Sequence, residues 1–115
     1  MSRGLQTVRE GPTAARMAEL LDVCGRRWAL RVVWELRRGA MNFRALRTAC
    51  GEISPGVLQN RLHKWRRLDV VESIPRLGYR LTARGEQLFQ LLAPLSDWAG
   101  AAPTQPGTDK RKQIR

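Results

Sequence analysis

The chain has 115 residues, of which 43% are hydrophobic, enough for one domain with a modest core. Lysine and arginine number 21 against 10 acids, a net charge of +11 that draws the protein toward polyanions. No apolar run approaches the 18 residues of a membrane span, and the N-terminal "MSRGLQTVREGPT" lacks the apolar stretch of a secretory signal, so a cytoplasmic location is expected.

Residues 1–11 read as a flexible arm. Pro12 and Thr13 open a first helix, with Met17, Leu20, Leu21 and Cys24 at i, i+3, i+4 and i+7. Gly25 interrupts it. A second helix is expected from about Arg26 to Arg38, with Ala29, Val32, Val33 and Leu36 on one face. Gly39 follows its last turn, and Arg37 and Arg38 suit the negative end of its dipole. Asn42 is placed to cap a third, short helix carrying Phe43, Leu46 and Ala49 inward. "CGEI" then makes a turn in which Gly51 is free to take a positive φ. Ser54 caps a fourth helix and Pro55 takes its first position, where a missing N–H costs nothing. Two helices joined by a tight glycine-bearing turn are a helix-turn-helix candidate.

Past Leu68 the pattern changes to "VVESI" and "YRL", short β-forming runs separated by "PRLG". They read as a two-stranded hairpin. Thr82 caps a last helix, inside which Pro94 deletes the bond to the Gln90 carbonyl and should kink the axis. Residues 100–115 have the Pro/Gly/polar make-up of a disordered basic tail. The fold class is thus mainly α with a small β-hairpin, a winged helix-turn-helix over residues 12–99.

Within "EISPGVLQNRLHKW" the apolar Leu58, Leu62 and Trp65 share one helical face. That turns Gly56, Gln59, Asn60 and His63 outward, with Arg61 and Lys64 flanking. Asn and Gln bond adenine bidentately in the major groove, and Arg and Lys reach guanine or phosphate. Recognition helices present such groups in their first turns. A plain solvated face is the competing reading, but the position after a helix and turn favours DNA. Arg44 and Arg47 lie on the preceding helix, which in this motif crosses the sugar-phosphate backbone. Arg76 at the hairpin tip and Arg80 on the returning strand are further phosphate candidates. Residues 37–80 hold ten basic groups against Glu52, Asp69 and Glu72, so this stretch carries most of the charge excess.

The last helix has more apolar surface than one small core needs: Leu88, Phe89, Leu91, Leu92, Leu95 and Trp98 wrap much of its cylinder. Such a helix is deeply buried or shared between subunits. A two-fold homodimer is expected, with Met17, Leu20, Leu88, Leu91, Leu92, Leu95 and Trp98 at the interface. No metal site or cofactor is expected. Cys24 and Cys50 form no CxxC pair, and His63 is the chain's one histidine, too few ligands for a zinc site. Both cysteines read as buried, inert thiols. A phosphate-binding glycine loop is absent and His63 has no carboxylate or nucleophile beside it in the chain, so an enzyme is not expected. A small-molecule effector between the dimer helices has no convergent polar group to support it.

Taken in order, "GRRW" (25–28), "NFRAL" (42–46), "ISPGVLQNRL" (53–62), "YRLTARG" (79–85) and the "DWA" around Trp98 resemble the HxlR family of bacterial winged-helix transcriptional regulators. The resemblance spans about residues 19–99. It implies a dimer joined through its terminal helices on pseudo-palindromic double-stranded DNA, with Ser54, Gly56, Gln59, Asn60 and Arg61 on the reading helix. Three departures stand out. Family members commonly carry a Cys-Pro near the N-terminus, sometimes as a thiol sensor; this sequence has none, and Cys24 falls where an aliphatic residue is usual. The hairpin is several residues shorter than the usual wing. Acids usual past the middle of the reading helix are replaced by Lys64, Arg66 and Arg67. Two further functions stay open beside a sequence-specific regulator: a non-specific or architectural nucleic-acid protein, and a winged helix repurposed for protein contact.

Overall fold

The structure, a computed structural model, describes residues 11–101. Five helices and one hairpin follow in the order α1 (Gly11–Cys24), α2 (Ala29–Leu36), α3 (Phe43–Ala49), α4 (Pro55–Arg67), β1 (Val71–Ile74), β2 (Gly78–Leu81) and α5 (Ala83–Gly100). This is a winged helix-turn-helix. The expected arm and tail lie outside the described residues, except Gly11, which opens α1, and Gly100 and Ala101 at the end of α5.

At the centre sits α2, whose Ala29, Val32, Val33 and Leu36 are all buried. Leu46 of α3, Ile53 of the turn, Leu58, Leu62 and Trp65 of α4, and Val70, Val71 and Leu81 of the hairpin close around it. The helix starts three residues later than its periodicity suggests. Trp28 occupies its N-cap position at φ 77°, a left-handed conformation that a bulky residue rarely adopts and that no helix interior tolerates. Its C-terminus behaves as its charge implies: Arg37 is the C-cap, and its Nη1 donates to the Trp34 carbonyl at 2.9 Å.

The hairpin is antiparallel, with Val71 opposite Leu81, Glu72 opposite Arg80, Ser73 opposite Tyr79 and Ile74 opposite Gly78. Its tip is a four-residue turn closed by Leu77 N–H to the Ile74 carbonyl at 3.1 Å. Pro75 holds the first central position, and the positive φ falls on Arg76 (70°), not on a glycine. Gly78 serves another purpose. A β-carbon there would strike the Met41 backbone, which pairs with Tyr79 through two hydrogen bonds of 2.8 and 2.9 Å. The wing is thereby tied to the segment that leads into α3, two residues before its start.

Thr82 caps α5 as expected, accepting from Gly85 N–H at 2.9 Å while its hydroxyl donates to the Asp69 carbonyl at 2.6 Å. Gly85 lies against the Val70 carbonyl, where no β-carbon fits. The helix runs on through Pro94 to Gly100. Only its early residues join the core: Leu88, Phe89 and Leu92 pack on it half-buried, and Phe89 meets Trp34 edge-on at 5.4 Å.

Candidate nucleic-acid interface

The helix-turn-helix is fixed by hydrogen bonds at each of its joints. Asn42 Oδ1 accepts from Ala45 N–H at 2.7 Å, satisfying a donor that the first turn of α3 would otherwise leave free. At the other end of α3, Glu52 N–H reaches back to the Arg47 carbonyl and Gly51 N–H to the Thr48 carbonyl, both at 2.9 Å. This paired closure needs a left-handed residue, and Gly51 supplies it at φ 82°. Ser54 then starts α4, its Oγ accepting from Val57 N–H at 3.3 Å, with Pro55 in the first helical position. Cys50 and Ile53 are buried under the turn.

Contacts between the motif and α2 complete the clamp. Arg31 of α2 donates to the Ala49 carbonyl at 2.9 Å and pairs with Glu35 at 2.7 Å. Trp65, fully buried, donates its indole N–H to the Ala29 carbonyl at 2.8 Å. The orientation of α4 is therefore set by both packing and polar contacts to α2.

With Leu58, Leu62 and Trp65 facing the core, Gly56, Gln59, Asn60 and His63 form an exposed strip along α4. A β-carbon on Gly56 would meet nothing within 4 Å, so the start of the helix is open to a close approach from outside. Lys64 is half-buried at the strip's edge, while Arg66 and Arg67 are exposed. The basic residues then divide. Arg44 on α3 and Arg76 at the wing tip are exposed, and neither has a hydrogen-bond or ion-pair partner among the described residues. Arg47 is half-buried: its Nε donates to the Ile53 carbonyl at 2.6 Å, and Nη1 lies 3.5 Å from Glu52. Arg80 pairs across the hairpin with Glu72 at 2.7 Å. Arg61 is half-buried and bonded on two sides, to the Arg27 carbonyl at 2.6 Å and to Asn60 Oδ1 at 2.7 Å. Of the arginines picked out in the sequence, two thus project freely and three are engaged with the protein itself.

Residues of α1 and α5 lie across from each other. Between them runs an open groove of about 320 Å³ whose lining includes Met17, Leu20, Leu68, Val70, Leu88 and Leu91, with Arg16 and Arg84 also beside it. Leu91, Leu95 and Trp98 are largely open to solvent, Leu91 and Trp98 at 73% and 76% exposure, and Met17 is partly so. Leu20, Leu88 and Leu92 are half-buried against the core. Of the seven residues named for an interface, Met17, Leu20, Leu88 and Leu91 line this groove, and Met17, Leu91, Leu95 and Trp98 are exposed.

A family model for the HxlR-like helix-turn-helix matches residues 23–105 of this sequence. The chain belongs to the HxlR family. It is 30% identical over 90 residues to the uncharacterized HTH-type transcriptional regulator YvaP of Bacillus subtilis, spanning 73% of this chain and 83% of YvaP. Its fold is shared with quinone-bound YodB of B. subtilis, at a TM-score of 0.68 and 24% identity over 78% of this chain and 97% of YodB. A transcriptional regulator of the MarR family from Enterococcus faecalis V583 superposes with a TM-score of 0.61 and 26% identity, covering 92% of this chain and 94% of the other. With the family match and YvaP, this HxlR-family chain is a helix-turn-helix transcriptional regulator.

Two further features of this HxlR protein bear on its chemistry. Burial pushes the thiols of Cys24 and Cys50 up from their ordinary value; for Cys50 the nearby Glu35 carboxylate adds to the rise, against a smaller lowering by Arg31. The rise disfavours the thiolate, the reactive form; Cys50 is buried as expected, whereas Cys24 is only half-buried. Among the described residues no three His, Cys, Asp or Glu side chains gather as a metal site would need, and no helix is long and apolar enough to cross a membrane. Sequence reasoning missed Arg31 and the Met41–Tyr79 bridge. Arg31 could have been noticed from its spacing to Glu35, four residues on; nothing local marks Met41.

Proposed function

We propose that this protein is a homodimeric, sequence-specific DNA-binding regulator that reads pseudo-palindromic operators through the polar strip of α4. The observation that carries the reading is the division of that helix. Three fully buried side chains fix it on α2, and Gln59, Asn60 and His63 stand exposed between the capped turn and the basic Lys64, Arg66 and Arg67. In this role Gln59 and Asn60 meet base edges, Ser54 and Gly56 bring the start of α4 close to the backbone, and Arg44 and Arg76 take phosphates from α3 and the wing. Arg47 and Arg80 keep spare donors beside their internal partners and take a secondary part in phosphate binding.

The dimer is supported by the uncovered Met17, Leu91, Leu95 and Trp98, an apolar surface out of place on a small isolated domain. A two-fold axis through α1 and α5 would set two α4 helices against successive major grooves. Bound at a promoter, such a dimer excludes polymerase sterically, and a signal would act by altering half-site spacing or affinity. YodB is known with a quinone bound; Cys50 of this chain is buried, Cys24 is half-buried, and burial disfavours the thiolate of both, so no quinone response is proposed here.

Selection of bound duplexes from a random pool at physiological salt tests the reading. A palindrome with half-sites about one helical turn apart is expected, bound at least about 10³-fold better than random DNA. A dimer making about ten phosphate contacts should show a log–log salt slope near −9. Strong binding without sequence preference would instead make the protein architectural, a reading to which Lys64, Arg66 and Arg67 lend weight. Affinity flat in salt for every duplex would leave protein contact as its use.

A further inference from the structure

We infer that Arg61 acts as a positioning residue, which sets the orientation of Asn60 on the reading helix and ties it to the turn at the end of α1. The inference rests on the DNA-reading role proposed for α4. Arg61 lies on the side of α4 that turns from solvent toward the domain, one helical turn before Trp65. The two side chains make parallel attachments: Arg61 Nε donates to the Arg27 carbonyl at 2.6 Å, and Trp65 Nε1 to the Ala29 carbonyl at 2.8 Å. Between those carbonyls sits Trp28 in its left-handed conformation, so the segment joining α1 to α2 is held in an unusual shape just where α4 grips it. Among the described residues, Arg61 is the only donor to the Arg27 carbonyl.

The remaining reach of the guanidinium decides how Asn60 presents its amide. Arg61 Nη1 donates to Asn60 Oδ1 at 2.7 Å. A guanidinium has donors only, so it selects the oxygen of the amide and turns the NH₂ away. The amide oxygen has a second lone pair, so Asn60 held in this orientation can still accept from the adenine amino group while its outward NH₂ donates to N7. Arg61 thus fixes the order of the two amide ends before a base is met. A lysine at position 61 keeps the charge but has neither the planar fork nor the fixed spacing to hold both oxygens at once. The same contacts connect α1, through residues 25–28, to a base-reading side chain, so a shift of α1 would be felt at Asn60.

The test compares wild-type protein with Arg61→Lys, Asn60→Ala and Asn60→Ala/Arg61→Lys by selection from a random pool, salt titration and amide NMR of the free proteins. Asn60→Ala identifies the base pair that Asn60 reads. At that pair the wild-type is expected to select adenine, and Arg61→Lys to lose about tenfold in preference with its salt slope unchanged. The double variant should lose no more than Asn60→Ala alone, because the two residues act as one unit. In the free protein the Asn60 side-chain NH₂ resonances should move in Arg61→Lys. Arg61→Lys retaining full preference, or unmoved Asn60 resonances, would each overturn the inference. If wild-type protein selects no sequence, the DNA-reading role itself has failed, and the free-protein resonances still decide whether Arg61 orients Asn60.

Discussion

The reading end of the molecule and its terminal helices are built to different standards of completeness. From α2 to β2 only Leu77 among the large apolar side chains is exposed, the starts of α3 and α4 carry side-chain caps, and the arginines around the turn close loops as well as carry charge. Of α1 and α5, only Val23 and Gly85 are buried, while Leu91, Leu95 and Trp98 face outward. A single chain therefore holds α4 rigidly without help, and the terminal helices keep apolar surface in reserve. Covering one such leucine or tryptophan is worth about 1.5–3 kcal/mol, so a second copy has much to gain at that end and little at the other.

The largest effect expected from this contrast is at Trp65. Trp65→Ala leaves a cavity beside α2 and an unpaired Ala29 carbonyl, and should lower stability by about 3–5 kcal/mol in a denaturant melt. Gly85→Ala should also be severe, since its β-carbon collides with the Val70 backbone. By contrast, Leu91→Glu with Trp98→Glu should leave the monomer folded and weaken self-association about a hundredfold or more, measured by sedimentation. A melt that collapses on those two changes, or a dimer that ignores them, would break the comparison. Smaller effects fall on the caps: Ser54→Ala and Asn42→Ala should each cost about 1 kcal/mol and add nearly independently.

The smallest effect concerns pH. With both thiols raised by burial, the unfolded chain releases protons above the ordinary thiol value of 9.0 that the folded chain retains. Stability is then undiminished below that pH and falls as pH rises beyond it. Cys50→Ala should flatten the alkaline slope in melts taken on either side of 9.0.

Much of this was legible because it is written in local chemistry. Ser54 before Pro55, Asn42 before Phe43 and Thr82 before Ala83 are caps by residue type, and all three accept the bonds expected of them. Gly51 takes its positive φ, and the spacing of Leu58, Leu62 and Trp65 assigns the faces of α4 correctly. What escaped is tertiary. No periodicity tells that Trp28 will adopt a left-handed conformation and delay α2, or that the wing will borrow Met41 as a partner for Tyr79. The arginines are the sharpest case. A sequence reports how much charge lies near a helix but not where each guanidinium points, and Arg47 and Arg61 turn to the carbonyls of Ile53 and Arg27.

The account turns on whether the exposed strip of α4 chooses DNA, and binding-site selection with a Gln59→Ala/Asn60→Ala variant asks this most directly. The variant removes two exposed side chains and no core contact, so it should melt as wild-type does. Its selected sites are predicted to lose their preferred bases at the positions under α4, while its salt slope stays that of the parent protein. The same ranked sites recovered at the same strength would contradict the account.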